Sequence, residues 1–307
     1  MTLEEAVRQV TNDPLTSIIV PFFLIALVVE SWLSRRRRLG LYQGKDFIVS
    51  MTMLVFASLV DAIPKVCAFL VFFVLHEISP LRDVVERQWW AWGLLFFLDD
   101  FIYYWFHRAN HDVRLLWAGH VPHHSSQKLN LGTALRQGVT ERVHKYFFWL
   151  PLPLLGFDPL MIFLMIGLNL FYQFWIHTEL VGRLPSVIES VFNTPSHHRV
   201  HHASNVRYLD CNLGGVLIVW DRLFGTFSPE DDAEPVRYGL THNIRSFNPF
   251  LVAFGEYRRM CSDCLSADRW VDRWRYITWA PGWQHAGPDE RARTLRAEQS
   301  VRSTREQ

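Results

Sequence analysis

The 307-residue chain lacks the marks of several common protein classes. Its four cysteines, Cys67, Cys211, Cys261 and Cys264, are too few and too scattered for a disulfide framework. Cys261 and Cys264 have CxxC spacing, but without a second pair or a Gly-Pro centre they read as incidental. With a net charge of +1 and no basic helix or aromatic-interleaved basic patch, the chain gives no case for a nucleic-acid partner. Residues 1–14 are short and acidic, without the basic start and small-residue cleavage site of a signal peptide. There is no internal repeat, no low-complexity linker, no CxxCH haem motif and no GxGxxG fingerprint. Any electrons must therefore come from outside.

What the chain has instead is apolar length. Half of its residues are hydrophobic and 15% aromatic, and long apolar runs alternate with very polar ones. That alternation marks a membrane protein. Thr16 to Leu33 is the first candidate span, about 18 residues at about 1.5 Å each. The run Arg35-Arg36-Arg37-Arg38 follows at once, marking the cytoplasmic side and placing the amino terminus outside. Phe47 to Leu75, interrupted by Asp61, Pro64 and Lys65, is either one long kinked helix or a hairpin of two short ones. After a loop from His76 to Gln88, Trp89 to Phe106 is the next span. Asp99 and Asp100 lie inside it, either functional at depth or in a shallow hydrated position.

Tyr146 to Ile176 carries Pro151, Pro153, Gly156, Asp158 and Pro159, which read as the tip of a hairpin with Leu160–Ile176 as second arm. A single crossing of Phe47–Leu75 then brings every histidine cluster to one face, and is preferred for that reason. Beyond Val181 no apolar run is long enough to span; Val216–Trp220 is a short buried or interfacial element. The expected fold is an all-α, polytopic integral membrane protein with a cytoplasmic, histidine-rich helical cap holding a dimetal centre. Residues 1–256 form the membrane-embedded domain, and 257–307 a polar, partly disordered tail.

Most of the 14 histidines fall between His107 and His202. His107 and His111 are four apart at a helix end, so both rings leave one face. A zinc protease helix has this spacing, but it needs Glu beside the first histidine, and Arg108 stands there. His120, His123 and His124, and then His198, His201 and His202, repeat an HxxHH pattern: two nitrogens on one side and a third ring turned toward a second ion. With His177 the candidate ligands number nine, and a single ion takes about four to six, so two metals are implied. Imidazole suits iron, zinc, copper and nickel alike. His76, His144, His242 and His285 read as structural or surface residues, and His197 as a ring behind the ligands.

The boxes HxxxH, HxxHH and HxxHH on an apolar frame resemble the fatty acid hydroxylase and sterol desaturase superfamily. Trp117-Ala-Gly-His120, Leu129-Asn-Leu-Gly-Thr-Ala-Leu-Arg-Gln137, Asn193-Thr-Pro-Ser-His-His-Arg-Val-His-His202 and Trp220-Asp-Arg-Leu-Phe-Gly-Thr-Phe227 are most similar to its ether-cleaving branch, the alkylglycerol monooxygenases. The likeness covers roughly Leu94 to Thr241. It implies two iron ions (zinc possible as purified) that use O2 to attack a C–H bond of a lipid entering from the bilayer. It also implies an external electron donor, either tetrahydrobiopterin or a cytochrome b5 or ferredoxin partner. The setting would be a bacterial inner membrane or the endoplasmic reticulum, with the histidine boxes on the cytoplasmic face.

Gln173 stands where hydroxylases of the superfamily often have the first histidine of HxxxH, and Asp112 where the ether-cleaving branch tends to have Glu. The resemblance makes Asp112 and Glu179 candidate catalytic carboxylates and, with Asp221, partners that orient imidazoles. A sterol desaturase of the C-5 type or another lipid hydroxylase of the superfamily is the alternative, and a zinc-dependent membrane hydrolase a more distant one.

Overall fold

The computed structural model describes residues 14–85 and 87–305, so all but the last of the acidic residues 1–14 lie outside the described residues. The long helices come first: α1 (Pro14–Arg36) and α2 (Gly44–Glu77), then the single turn α3 (Arg82–Val85) and α4 (Trp89–Asp112). The histidine region follows with α5 (Arg114–His124), α6 (Leu131–Ala134), α7 (Glu141–His144), α8 (Pro151–Leu154), α9 (Pro159–Ile176), α10 (Ser186–Val191), α11 (Pro195–His201) and α12 (Val219–Phe224). Three helices close the chain: α13 (Pro249–Ser266), α14 (Trp270–Thr278) and α15 (Ala292–Arg305). Among the described residues there is no β-strand, only the isolated bridges Phe192–Leu217 and Ala203–Tyr238.

Among the described residues two helices, α2 and α9, are long and apolar enough to cross a bilayer. On α2 the apolar side chains face outward: Ile48, Leu59, Ile63 and Val74 are all more than half exposed. The helix is continuous from Gly44 to Glu77 with Pro64 inside it, so the hairpin alternative does not form. Apolar, helix-compatible neighbours carry the chain past the one missing N–H. The arm leading to α9 differs from the expected hairpin. Residues Lys145–Trp149 form a 3-10 turn and α8 is a single turn, because Pro151 and Pro153 cannot donate to a helical ladder. Only the second arm is a long helix.

The largest core lies between α2, α4, the 145–152 segment and α9, where Phe72, Leu95, Phe106, Trp149, Met161 and Ile162 are buried together. Polar staples fix the outer pieces onto it. Asp99 and Asp100 are 1% and 0% exposed, so neither is hydrated. Asp99 accepts from Trp149 Nε1 at 2.7 Å and Asn169 Nδ2 at 2.9 Å. Asp100 accepts from the backbone N–H groups of Val216 and Leu217 at 2.7 and 3.0 Å and from Trp220 Nε1 at 2.9 Å. Buried carboxylates persist when both oxygens accept hydrogen bonds in this way. Asp99 ties α4 to Trp149 and to Asn169 of α9, and Asp100 clamps the 216–220 segment to α4. On the other side Glu30 of α1 accepts from Leu131 N at 2.7 Å and from the hydroxyls of Tyr42 and Thr178. Asp46 of α2 pairs with Arg136 at 2.9 Å and accepts from Ser126 Oγ at 2.6 Å.

The carboxy-terminal region corrects the expectation of a partly disordered tail. The boundary at residue 256 falls inside α13, and α13 and α14 pack on α5 while α15 packs on the 206–208 turn. Buried Val252, Ala253 and Met260 give α13 an apolar face against Val49 and Met53 of α2 and against α5. Arg114 of α5 fixes the helix electrostatically, donating to Glu256 at 2.8 Å and Asp263 at 2.6 Å. The segment reads as polar because arginines crowd its sequence; its inner face is apolar apart from the carboxylates that pair with Arg114.

Candidate metal centre

Four separate helix ends supply the nine imidazoles. His107 and His111 leave the last two turns of α4, and His120, His123 and His124 the last two turns of α5. His177 is the C-cap of α9; His198 and His201 lie in α11, with His202 at its C-cap. All nine are buried, none more than 8% exposed. They sort into two groups, His107, His111, His120, His124 and His201 in one and His123, His177, His198 and His202 in the other, with the ligand atoms of each group within 4.8 Å of one another.

The hydrogen bonds behind the rings decide what their inner nitrogens can do. His107 Nδ1 donates to Leu213 O at 2.8 Å, His201 Nδ1 to Cys211 O at 3.0 Å, His111 Nδ1 to Asp210 Oδ1 at 2.9 Å and His120 Nδ1 to Glu141 Oε2 at 3.1 Å. In the second group His123 Nδ1 donates to Arg136 O at 3.3 Å and His177 Nδ1 to Gln173 O at 2.7 Å. Carbonyls and carboxylates only accept, so in these six rings Nδ1 holds the proton and Nε2 is a bare lone pair. Burial, reinforced by the neighbouring imidazoles, pushes His123, His124, His198, His201 and His202 well below the ordinary histidine range, so they stay neutral.

Two lone pairs therefore face each other between His107 and His120 at 3.1 Å, and two more between His123 and His177 at 3.2 Å. The Nε2 atoms of His111 and His201 are buried with no partner. Neutral imidazoles in this arrangement repel unless a cation sits among them. The donor set fits a metal in each group.

A single loop supports the first group. Residues 210–213 present Asp210, the Cys211 carbonyl and the Leu213 carbonyl to three different rings. Asp210 and Asn212 adopt left-handed backbone angles, φ 53° and 56°, at a cost of about 1 kcal/mol or more each. Asn212 holds the turn by donating to Ser228 O at 2.7 Å and His197 O at 3.1 Å. Asp221 accepts from Leu213 N and Gly214 N, both at 2.7 Å. It therefore steadies the carbonyl that holds His107 without touching a ring.

Glu141 reaches His120 through a backbone crossing that only glycine permits. A Cβ at Gly138 would lie 1.8 Å from Gly119 O. With no side chain at 138, the segment lies flat against α5 and α7 delivers its carboxylate. Burial alone would raise the Glu141 carboxyl, but His120, Arg142 and His144 outweigh it and hold it below the ordinary range.

Neither Asp112 nor Glu179 touches an imidazole. Asp112 is more than half exposed and pairs with Arg108 at 3.3 Å, while Glu179 bonds Tyr238. Glu141 and Asp210 take the expected orienting places. Both were missed because they lie 21 and 99 residues from their histidines. His197 lies outside both groups and is used in the capping box of α11 with Thr194. Gln173 turns its amide to Asn169 Oδ1 at 2.7 Å, and its carbonyl holds His177.

A chamber of about 840 Å³ reaches the first group, with His111, His124 and His201 at its inner end. The 239–246 loop, α13 and α14 wall its outer part.

Residues 92–226 match the fatty acid hydroxylase family model. The chain is 37% identical over 288 residues to alkylglycerol monooxygenase of Danio rerio, a match spanning 94% of this chain and 62% of that protein. To alkylglycerol monooxygenase of Homo sapiens it is 37% identical over 287 residues, again 94% and 62%. Ornithine lipid hydroxylase OlsE of Rhizobium tropici is 31% identical over 149 residues, 48% of this chain and 44% of that protein. The chain thus spans about three fifths of the alkylglycerol monooxygenases it matches. No solved structure matches it.

Proposed function

Because residues 92–226 match the fatty acid hydroxylase family model, we propose that the chain is a membrane-bound non-haem di-iron oxygenase that uses O2 to hydroxylate a lipid C–H bond. The name of its relatives, alkylglycerol monooxygenase, points to an alkylglycerol as substrate, and the carbon beside the ether oxygen is the target of this reading. Hydroxylation there yields a hemiacetal, which breaks down to an aldehyde and a glycerol derivative. The observation that carries this reading is the pair of buried imidazole groups with bare nitrogens turned inward.

His107, His111, His120, His124 and His201 would hold one ion, and His123, His177, His198 and His202 the other. Bound there, iron supplies the activation of O2 that no side chain can provide. The protein's own part is positioning and exclusion. Glu141 and Asp210 keep the Nδ1 protons of His120 and His111 in place and strengthen those rings as donors. The backbone carbonyls of Leu213, Cys211, Arg136 and Gln173 do the same for four others. Burial keeps bulk water from the inner nitrogens. Reducing equivalents come from outside, from tetrahydrobiopterin or from a cytochrome b5 or ferredoxin partner.

The chain sits in the membrane with the histidine boxes on the cytoplasmic face. Two features support this orientation. Arg35 and Arg36 end α1, and the Asp46 end of the exposed apolar helix α2 is tied to the box region through Arg136. The test is the metal content of the detergent-solubilised full chain, with His123→Ala beside it. About two iron atoms per chain, fewer in the variant, and O2-dependent release of aldehyde from an alkylglycerol are expected. Zinc with no O2-dependent activity after iron reconstitution would overturn the proposal.

A further inference from the structure

Over its first two turns α13 is as apolar outside as inside. Val252 and Ala253 face the core, and Glu256, the first charged residue after Arg245, turns inward to Arg114 of α5. On the outer side Phe250 and Phe254 are four residues apart, with Leu251 beside them and Phe247 just before the helix. All four are between 42% and 61% exposed. A stretch of helix that is apolar all round belongs inside a protein or in lipid.

The position of the stripe identifies what covers it. Phe250 packs on Phe56 of α2 with ring centroids 5.6 Å apart. Phe56 is flanked by Val55 and Leu59, 54% and 69% exposed, which belong to the outward apolar face of α2. The stripe on α13 is therefore an extension of that face and not a separate patch. A second copy of the chain, or a soluble protein, could reach Phe250 only by displacing lipid from the side of α2.

We propose that α13 is an interfacial helix, with Phe250 and Phe254 set among the acyl chains of the leaflet that borders the histidine boxes. This rests on the membrane reading above, and it adds a contact by a helix too polar in its second half to span. A helix with one side on protein and an aromatic side toward lipid lies at the boundary of headgroup and chain. Arg114 holds the same helix to α5, which carries His120, His123 and His124. The depth of α13 thereby sets the level of the candidate metal centre against the surface from which a lipid arrives.

The experiment places a nitroxide at Phe250→Cys or Phe254→Cys in the full chain. Cys67→Ser, Cys261→Ser and Cys264→Ser remove the other accessible thiols, and buried Cys211 is kept. The chain is reconstituted in vesicles of phosphatidylcholine and phosphatidylglycerol. Collisions of the label with O2, which dissolves in hydrocarbon, are compared with those of a water-soluble nickel chelate. Leu59→Cys on α2 is the lipid reference and Glu298→Cys on α15 the aqueous one, both at exposed positions. At Phe250 and Phe254 the oxygen-to-nickel ratio is expected to exceed that at Glu298 by about fivefold. A ratio equal to that at Glu298, with Leu59 rich in oxygen collisions, would overturn the interfacial helix and leave the membrane reading standing. Nickel access at Leu59 as well would overturn both. Mutual broadening between labels at Phe254→Cys, absent at Leu59→Cys, would show a second copy on the stripe and overturn the lipid assignment.

Discussion

Glu141 Oε2 stands 3.1 Å from Nδ1 of His120, on the opposite side of the ring from the nitrogen that faces His107. One carboxylate thereby fixes a tautomer and aims a lone pair. Asp210 does the same for His111 at 2.9 Å. Both serve the group of five; the Nδ1 bonds of the group of four run to backbone carbonyls.

Glu141→Gln and Asp210→Asn should each weaken metal retention by about tenfold or more, since loss of a carboxylate behind a ligating imidazole typically costs that much. Asp112→Asn, on an exposed side chain paired only with Arg108, should change retention less than twofold, or about 0.4 kcal/mol. Competition against a metal chelator measures all three. Equal losses at Asp112 and Glu141 would contradict the assignment.

Gly138→Ala should act as a positional version of the same change. The new methyl group would meet Gly119 O at an impossible distance, so the 138–141 segment must lift from α5 and take Glu141 with it. Thermal stability should fall by about 1–3 kcal/mol, with metal loss comparable to Glu141→Gln. Unchanged metal affinity would mean that Glu141 reaches His120 by another path.

Asp100→Asn keeps shape but turns an NH2 toward donors. Its carboxylate now accepts from Val216 N, Leu217 N and Trp220 Nε1, so at least one buried N–H would lose its partner, at about 1–3 kcal/mol. Limited proteolysis should show earlier cleavage within 213–220. Protection equal to that of the unaltered chain would count against the clamp.

Acid should loosen the metal-free chain. Burial first, then neighbouring imidazoles, lower His124, His198, His201 and His202 below their ordinary value of 6.5. The unfolded chain therefore takes up protons before the folded chain does. Stability from keeping these rings neutral is complete above pH 6.5 and is lost as pH falls from there. The depressed Glu141 carboxyl adds loss in the same direction, from its ordinary value of 4.5 downward. Melting temperatures of the metal-free chain between about pH 8 and pH 5 test the first part. A rise in stability on acidification would contradict it.

The two histidine groups were legible because their spacing is local. An i, i+4 pair at the end of α4 and two HxxHH runs declare a shared face whatever surrounds them. The outward apolar face of α2 was legible from its length. The supports were not, because a carboxylate 21 or 99 residues away leaves no periodic trace beside the histidine it holds. Asp99 and Asp100 could be located but not interpreted, since their partners Trp149, Asn169 and Trp220 lie in three other segments. The carboxy-terminal helices were misread for a different reason. Val252, Met260 and the salt-bridging Glu256 recur at fourfold spacing, an inward stripe hidden among arginines.

The histidine centre joins segments as far apart in sequence as His107 and His202, in a protein whose described cysteines are all free. An ion bound in each group would therefore work as a cross-link between distant parts of the chain and remove loop entropy from the unfolded state, as a disulfide would. Such a fastening is indifferent to thiol reductants. A chelator, by contrast, would untie four helix ends at once.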